Sequence, residues 1–420
     1  MKHMTTKKEK TLKIGIIGLG PRSPAQIVGT REAGQAVITA ICDCEEDRIA
    51  WALKLFKEQK MKTPKTYTDY RKLLADRNVE AVMVPSSWNT HVPIARDAML
   101  AGKYVAFEVG GASSLDQLWE LVRVSERTGI PCMMLENCCY GREEMMVLNL
   151  VRQGFFGELI YCECGYEHNL SGMSCAIERK RERAFHNLLR NGDLYPTHGL
   201  GPIAKILGIN RGNRFVSLTS TATKARGFAA AAEKRKWDGA GGFRVFNKGD
   251  IVTTVIKCAN GEVVTLTHGV SLPRPYSRDC RVQGTKGIWL ENANGLFIEG
   301  LTKTDFVDAN GKPYKTEKWD DIKTYYDKHD HPLWKSFRDN VTGGHGGMDT
   351  LVIQAFFDAV RHRAPTPIDV YDCAAWMSIT CLSEDSIAMG SAPVAVPDFT
   401  NGKWINREPE RATPWALSVV

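Results

Sequence analysis

Five short apolar runs, at residues 13–18, 37–42, 79–84, 103–108 and 132–135, recur through the first third of this 420-residue chain. Each is four to six residues long, rich in β-branched and other apolar side chains, and followed or closed by a glycine, an acid or a Pro-Ser turn. Runs of that length and texture read as buried strands. Between them, residues 25–33, 68–75, 91–101 and 114–128 read as helices. Strands that alternate with helices dictate a parallel, doubly wound sheet with right-handed crossovers. Ligands of such sheets collect at the carboxyl ends of the strands. Those ends fall at residues 18–22, 43, 85–91, 108–109 and 136–137.

The first strand runs into Gly18-Leu19-Gly20-Pro21-Arg22-Ser23 and then a helix. Gly18 permits the tight turn, and Gly20 lets the backbone approach a pyrophosphate at the helix N-terminus. Ser23 stands where the fingerprint has its third glycine, so the motif alone reads as a turn as readily as a nucleotide site. Asp43 closes the second strand 23 positions beyond Gly20, where a carboxylate holds the adenosine ribose hydroxyls. An acid there repels a 2′-phosphate, so NAD is expected in preference to NADP. Arg22 and Arg48 are both long enough to reach such a phosphate, and a plain turn residue is the alternative for Asp43.

Beyond residue 137 the texture changes. A helix over 142–153 precedes apolar alternating runs at 159–165, 215–221, 251–258, 263–269, 281–283 and 287–290, expected to follow one another as strands of an antiparallel sheet without intervening helices. Further helices are expected up to residue 207 and over 349–363 and 374–389, and residues from 391 onward are proline-spaced and irregular. The expected fold class is therefore an α/β Rossmann doubly wound parallel sheet over residues 1–137. A C-terminal α+β domain with a large, mostly antiparallel open sheet follows over 138–395, then an irregular tail over 396–420.

Composition narrows the function. With 43% hydrophobic and 25% charged residues the chain is an ordinary globular one, and its net charge of +7 is modest. The basic run Glu178-Arg179-Lys180-Arg181-Glu182-Arg183 is interleaved with glutamates and has no stacking aromatics, which argues against nucleic acid. No apolar stretch is long enough to span a membrane. Residues 1–10 are lysine-rich without an apolar centre, so they do not read as an export signal. A cytoplasmic location is expected as the sequence stands, and a periplasmic or exported one only if a signal has been removed. The 12 cysteines sit mostly in apolar runs and form no CxxC pair, so buried free thiols and no structural metal are expected.

The residues with most chemical character are Tyr195 and His198, flanking Pro-Thr at a helix start. Three positions apart they can share one face, although a capping turn with a core tyrosine has the same pattern. Gly343-Gly344-His345-Gly346-Gly347-Met348-Asp349 is a glycine-rich loop before a helix. His345 or Asp349 could face a ligand from it, or Asp349 could simply cap the helix. Tyr166 and His168 stand at a strand end and are expected to face opposite ways, so that one of them meets substrate. Trp88 and His91 follow the third apolar run and would either pack on a nicotinamide or hold their loop.

Four segments carry a family resemblance: CMMLENCCYGREEMMVLNLVRQ at 132–153, NGDLYPTHGLGPIAKILGINRGNR at 191–214, PYSR at 275–278 and GGHGGMD at 343–349. Through them the chain resembles the Gfo/Idh/MocA oxidoreductases over nearly its whole length, and within them glycoside hydrolase family 109, the NAD-dependent α-N-acetylgalactosaminidases. Position by position, the resemblance implies NAD contacts at Pro21, Arg22, Asp43, Trp88, His91, Glu108, Val109 and Asn137. It implies substrate contacts at Tyr166, Arg183, Tyr195, His198 and Tyr276, with Tyr195 and His198 nearest the chemistry. Most members of the wider group have Glu-Lys-Pro at the end of the strand that closes here at Glu108; Val109 replaces that lysine, as in family 109, which assigns proton transfer to the second domain. The family 109 sequences continue Pro-Ala-Ala where this chain has Gly110-Gly111-Ala112.

The resemblance implies glycoside hydrolysis by transient oxidation at the sugar C3, elimination across C1–C2, water addition and re-reduction, with NAD regenerated at every turnover. No facing carboxylate pair is needed for this route. The alternative is a sugar or polyol dehydrogenase that releases NADH. A glycoside or sugar is the expected partner, together with a second or further copies of the chain as a homodimer or homotetramer.

Overall fold

The computed structural model describes residues 11–174, 182–235 and 245–418. They divide into two compact units: unit one takes residues up to Glu108, Val124–Leu135 and Val341–Thr366, and unit two takes Val109–Arg123, Glu136–Asn340 and Pro367 onward.

Unit one begins β1 (Leu12–Ile17), α1 (Ser23–Ala33), β2 (Ala36–Cys42), α2 (Glu46–Glu58), β3 (Lys65–Tyr67), α3 (Tyr70–Leu74), β4 (Ala81–Val84), α4 (Trp88–Leu100) and β5 (Tyr104–Phe107). Helix α5 (Leu115–Thr128) leads to β6 (Cys132–Met134). The six strands form one sheet in the order β3-β2-β1-β4-β5-β6, and every pairing is parallel. That is a parallel doubly wound sheet, as expected from the apolar runs. Strand β4 is buried at all four positions, as a parallel strand covered on both faces must be. Helix α2 and the short β3 escape the sequence reading. In α2 only Ile49, Ala52 and Phe56 are buried, at helical spacing within an otherwise charged segment.

Unit two takes α5 as far as Arg123 and continues with α6 (Arg142–Arg152), β7 (Leu159–Glu167), α7 (Ser171–Ser174), α8 (Glu182–Leu189) and α9 (Thr197–Ile206). Next come β8 (Phe215–Ala222), α10 (Gly227–Lys234), β9 (Ile251–Cys258), β10 (Val263–Gly269), β11 (Arg281–Gly284), β12 (Gly287–Leu290) and β13 (Gly295–Ile298). A hairpin of β14 (Asp305–Val307) and β15 (Pro313–Lys315), the edge strand β16 (Asp320–Asp321), α11 (Tyr326–His329) and α12 (Pro332–Phe337) follow.

Helix α13 (Met348–His362) belongs to unit one, and α14 (Val370–Ala388) and β17 (Val394–Ala395) close unit two. The large sheet runs β16-β13-β12-β11-β7-β10-β9-β8-β17. Two expectations are corrected. Helices α7 to α10 do intervene between its strands, and they supply the crossover that lets β7 pair parallel with β10. All its other pairings are antiparallel. The stretch from residue 391 onward is not wholly irregular either, because β17, just ahead of the expected tail, pairs with β8 through Val394 and Ala395.

Candidate functional site

The carboxyl ends of the unit-one strands gather the residues singled out there. Gly18 has φ +95, and a Cβ on it would lie 2.5 Å from Ser86 Cα, so both the turn and the approach of β4 require glycine. Arg22 occupies the N-cap of α1 without a side-chain cap, and Ser23 Oγ donates to Gly20 O at 2.8 Å. The Arg22 side chain does not cap α1; the Ser23 and Ala25 N–H groups donate to the Gly20 and Arg22 carbonyls, and Pro24 has none, so the turn ahead of the helix is the part open to a phosphate. Asp43, at the end of β2, accepts the Leu19 N–H at 2.7 Å and the Glu45 N–H at 3.0 Å, and Arg48 lies 3.8 Å from it. His91 is buried in the first turn of α4, with Nε2 3.1 Å from Ser86 O and its ring 5.7 Å from that of Phe107. Trp88 begins the same helix.

Arg22 turns toward the end of β5 and the start of α13. Its Nε donates to Glu108 Oε1 at 3.1 Å, and Nη1 and Nη2 donate to the two oxygens of Asp349 at 3.3 Å each. Gln26 also donates to Glu108 Oε1. Asp349 faces His345 Nδ1 at 2.9 Å as well. Burial works against the Asp349 charge, but His345 and Arg22 hold the carboxyl well below the usual range, and Asp349 in turn raises His345. The glycine-rich loop therefore delivers Asp349 to Arg22 and sets His345 behind that carboxylate.

Unit two holds the second constellation. Tyr166, near the end of β7, is the hub: its ring lies 4.6 Å from Tyr195, 5.4 Å from His198, 6.1 Å from Tyr276 and 6.1 Å from His168. His268 stacks on it at 6.3 Å, because the parallel register sets His268 of β10 beside Tyr166 of β7. Paired backbone hydrogen bonds between Glu167 and Ser277 bring Tyr276 alongside. Arg183 of α8 places its guanidinium carbon 4.7 Å from the Tyr195 ring centre. The predicted set Tyr166, Arg183, Tyr195, His198 and Tyr276 is thus gathered in one place. The expectation for Tyr166 and His168 is wrong: residues two apart on a strand share a face, and their rings meet edge-on.

Tyr195 Oη lies 3.5 Å from His198 Nε2, while His198 Nδ1 lies 2.7 Å from Glu136 Oε1. Glu136 is completely buried. Burial alone would raise its carboxyl, but His198 and the Cys138 N–H bring it below the usual range. A carboxylate at Nδ1 keeps the proton on that nitrogen, so Nε2, facing Tyr195, is the basic one. Asp193 fixes the turn by accepting the Tyr195 N–H at 3.0 Å, and its buried carboxyl is pushed up to about 7. His268 is driven far below the usual histidine range by burial, with Lys248 and Arg183 adding to it, so it packs as a neutral ring.

Sequence reading expected Glu136 to line the cofactor with Asn137, and missed its role behind His198, 62 residues away. Asn137 and Val109 are both buried within unit two. Gly111 has a packing reason, since a Cβ there would run into Thr380 Oγ1 and lie 3.0 Å from Thr380 Cβ. Among the described residues, Glu136, Cys138 and His198 form the one group of ligand-type atoms within 4.8 Å of one another. His198 Nδ1 is already engaged by Glu136, and burial raises the Cys138 thiol far above its ordinary range, so the group reads as a hydrogen-bonded wall of the site.

Residues 140–406 match the family described as "Glycosyl hydrolase 109, C-terminal domain". A Tannerella forsythia protein named alpha-N-acetylgalactosaminidase is 41% identical over 96% of this chain and 89% of the relative. The chain belongs to glycoside hydrolase family 109. A second family 109 protein, from Parabacteroides distasonis, is 39% identical over 98% of this chain and 91% of its own. Residues 12–135 match "Oxidoreductase family, NAD-binding Rossmann fold". A solved NAD binding oxidoreductase from Klebsiella pneumoniae shares the fold, with a TM-score of 0.70 at 17% identity over 93% of this chain and all of that one. This family 109 chain is therefore a glycosidase-family enzyme whose cofactor is NAD. The turn ahead of α1, the glycine at Gly18 and the carboxylate of Asp43 fit that dinucleotide. Among the described residues no helix is long and apolar enough to cross a membrane.

Proposed function

We propose that this enzyme hydrolyses α-N-acetylgalactosaminides or closely related glycosides by oxidation, elimination, water addition and re-reduction. The observation that carries the reading is the chain Glu136–His198–Tyr195. Its one carboxylate is completely buried behind the imidazole, so it orients a base and does not itself protonate a glycosidic oxygen. Bound NAD would supply reversible hydride acceptance from the sugar C3, which makes the neighbouring C2 proton acidic.

His198 Nε2 and Tyr195 Oη then carry the two proton movements, at C2 and at the departing oxygen on C1. Arg183, Tyr166 and Tyr276 orient the sugar hydroxyls. Loss of the C2 proton expels the C1 substituent, water takes its place at C1, and C2 regains a proton, so the net change is hydrolysis. Val109 stands where a dehydrogenase of this fold class would carry its lysine, and this leaves proton transfer to the tyrosine and histidine of unit two. Substrate contact at Trp88 or His91 is not part of the reading; with Gly20, Pro21, Arg22, Asp43, Glu108, Val109 and Asn137 they are assigned to the cofactor.

The test is aglycone release from p-nitrophenyl α-N-acetylgalactosaminide by protein purified without added nucleotide. Release without net NADH, and its loss in Tyr195→Phe and His198→Ala, is the expected result. No release from any glycoside, with NADH accumulating on a free sugar, would assign a dehydrogenase instead.

A further inference from the structure

The glycine-rich loop at 343–349 is absorbed by neither the nucleotide fingerprint nor the proton chain, yet its geometry is closely specified. Gly343, Gly346 and Gly347 all have positive φ, and so does His345 at +51, a conformation that disfavours a side-chain-bearing residue. A Cβ on Gly344 would come within 2.5 Å of Asp349 Oδ2, so the loop wraps the carboxylate more tightly than any other residue would permit. Asp349 is 3% exposed and both its oxygens are engaged, one by Arg22 and the other by Arg22 and His345. On the other side of Arg22, Glu108 Oε1 accepts a hydrogen bond from its Nε. The helix that carries Asp349 is seated against α1 at Gly29, where a Cβ would meet Ile353 Cδ1 at 2.6 Å. All of these residues lie in unit one.

The clamp acts on the guanidinium at the N-cap of α1, beside the turn at which a pyrophosphate would sit. Two carboxylates also neutralise that guanidinium, so it is a poor receiver for an additional 2′-phosphate and better suited to a fixed hydrogen-bonding edge. A cofactor that is reoxidised and re-reduced within each turnover never has to leave. The geometry points to Asp349, with His345 and Glu108, as a latch that fixes Arg22 over the dinucleotide and slows its release. Asp349 and His345 are positioning residues in this scheme: they act through Arg22. The inference rests on the reading that NAD is regenerated in place, but its central measurement, nucleotide exchange, needs no glycoside.

The experiment follows exchange of bound NAD for labelled NAD in the full chain, together with the unfolding temperature of the nucleotide-free protein. Asp349→Asn and Arg22→Lys should each speed exchange at least tenfold. His345→Ala, at a half-exposed side chain, should speed it two- to fivefold, with the nucleotide-free unfolding temperature unchanged. In Asp349→Asn the concentration of added NAD that restores half-maximal aglycone release should rise tenfold, with maximal rate altered less than threefold. Wild-type exchange as fast as that of the variants would overturn the latch. So would variants whose faster exchange only tracks a loss of stability while His345→Ala changes nothing. Slow wild-type exchange in a protein that cleaves no glycoside would sink the hydrolase reading and leave the latch standing.

Discussion

Glu136 Oε1 lies 2.7 Å from His198 Nδ1, and this contact decides which nitrogen of the imidazole is basic. Glu136→Gln keeps the shape but presents an amide that can donate as well as accept, so the imidazole loses its enforced tautomer. Aglycone release should fall by roughly 10²-fold or more, within the range a positioned acid–base group contributes. Substrate KM should change little, and the pH profile should shift with the altered imidazole. A Glu136→Gln enzyme with wild-type rate and pH profile would show that the carboxylate serves only the fold.

Asp43 joins the turn after β1 to the end of β2 through the Leu19 N–H. Asp43→Ala removes a charged acceptor worth roughly 1.5–3 kcal/mol, or about 10- to 100-fold in NAD affinity. It also removes the charge that repels a 2′-phosphate, so affinity for NADP should fall less than affinity for NAD. Titration with both nucleotides checks this, and an unchanged preference would mean that Arg48 or another group sets it.

Gly111 packs directly against the Thr380 side chain of α14. Gly111→Ala forces an added methyl against the threonine side chain, an overpacking expected to cost about 1–3 kcal/mol. The unfolding temperature should drop by several degrees, and Thr380→Ala in the same chain should return part of it. A neutral Gly111→Ala would show that α14 yields at no cost.

His331 caps α12 by accepting the Leu333 N–H on Nδ1 at 3.1 Å, and burial pushes its pKa down to about 4. The unfolded chain binds that proton from about pH 6.5 downward, the folded one only near 4, so stability falls as pH drops through this window. The full effect is about 3 kcal/mol from a shift of this size. His331→Asn keeps a capping acceptor without the titration and should flatten the difference in urea midpoint between pH 7 and pH 4.5. An equal acid loss in both proteins would place the sensitive group elsewhere.

What the sequence made legible follows from how local each feature is. The parallel sheet is written in contiguous apolar runs, and every one of the five lies on a strand of the sheet. Tyr195 and His198 stand out because proline, threonine and two titratable side chains share one turn. Glu136 and His268 do not stand out: a glutamate after a strand and a histidine within one are ordinary until the fold sets them against His198 and Tyr166. The parallel pairing of β7 with β10 is equally hidden, since each strand alone has the same alternation in either direction. The shared face of Tyr166 and His168, by contrast, is legible in the sequence, since residues two apart on a strand point the same way.

The return of residues 341–366 to unit one also governs how the chain is made. A ribosome emits β1 to β6 first and reaches the end of that segment 231 residues after Leu135 (366 − 135), a delay of about 10–50 s at ordinary elongation rates. During that interval the nascent nucleotide fold lacks the helix that seats Ile353 at Gly29, and the carboxylate that meets Arg22 has not been synthesised. NAD captured early would therefore be held by an unfinished cradle. Translation that stops near residue 340 yields every strand of the parallel sheet and none of its closing helix, a product whose exposed α1 face invites chaperones or proteases.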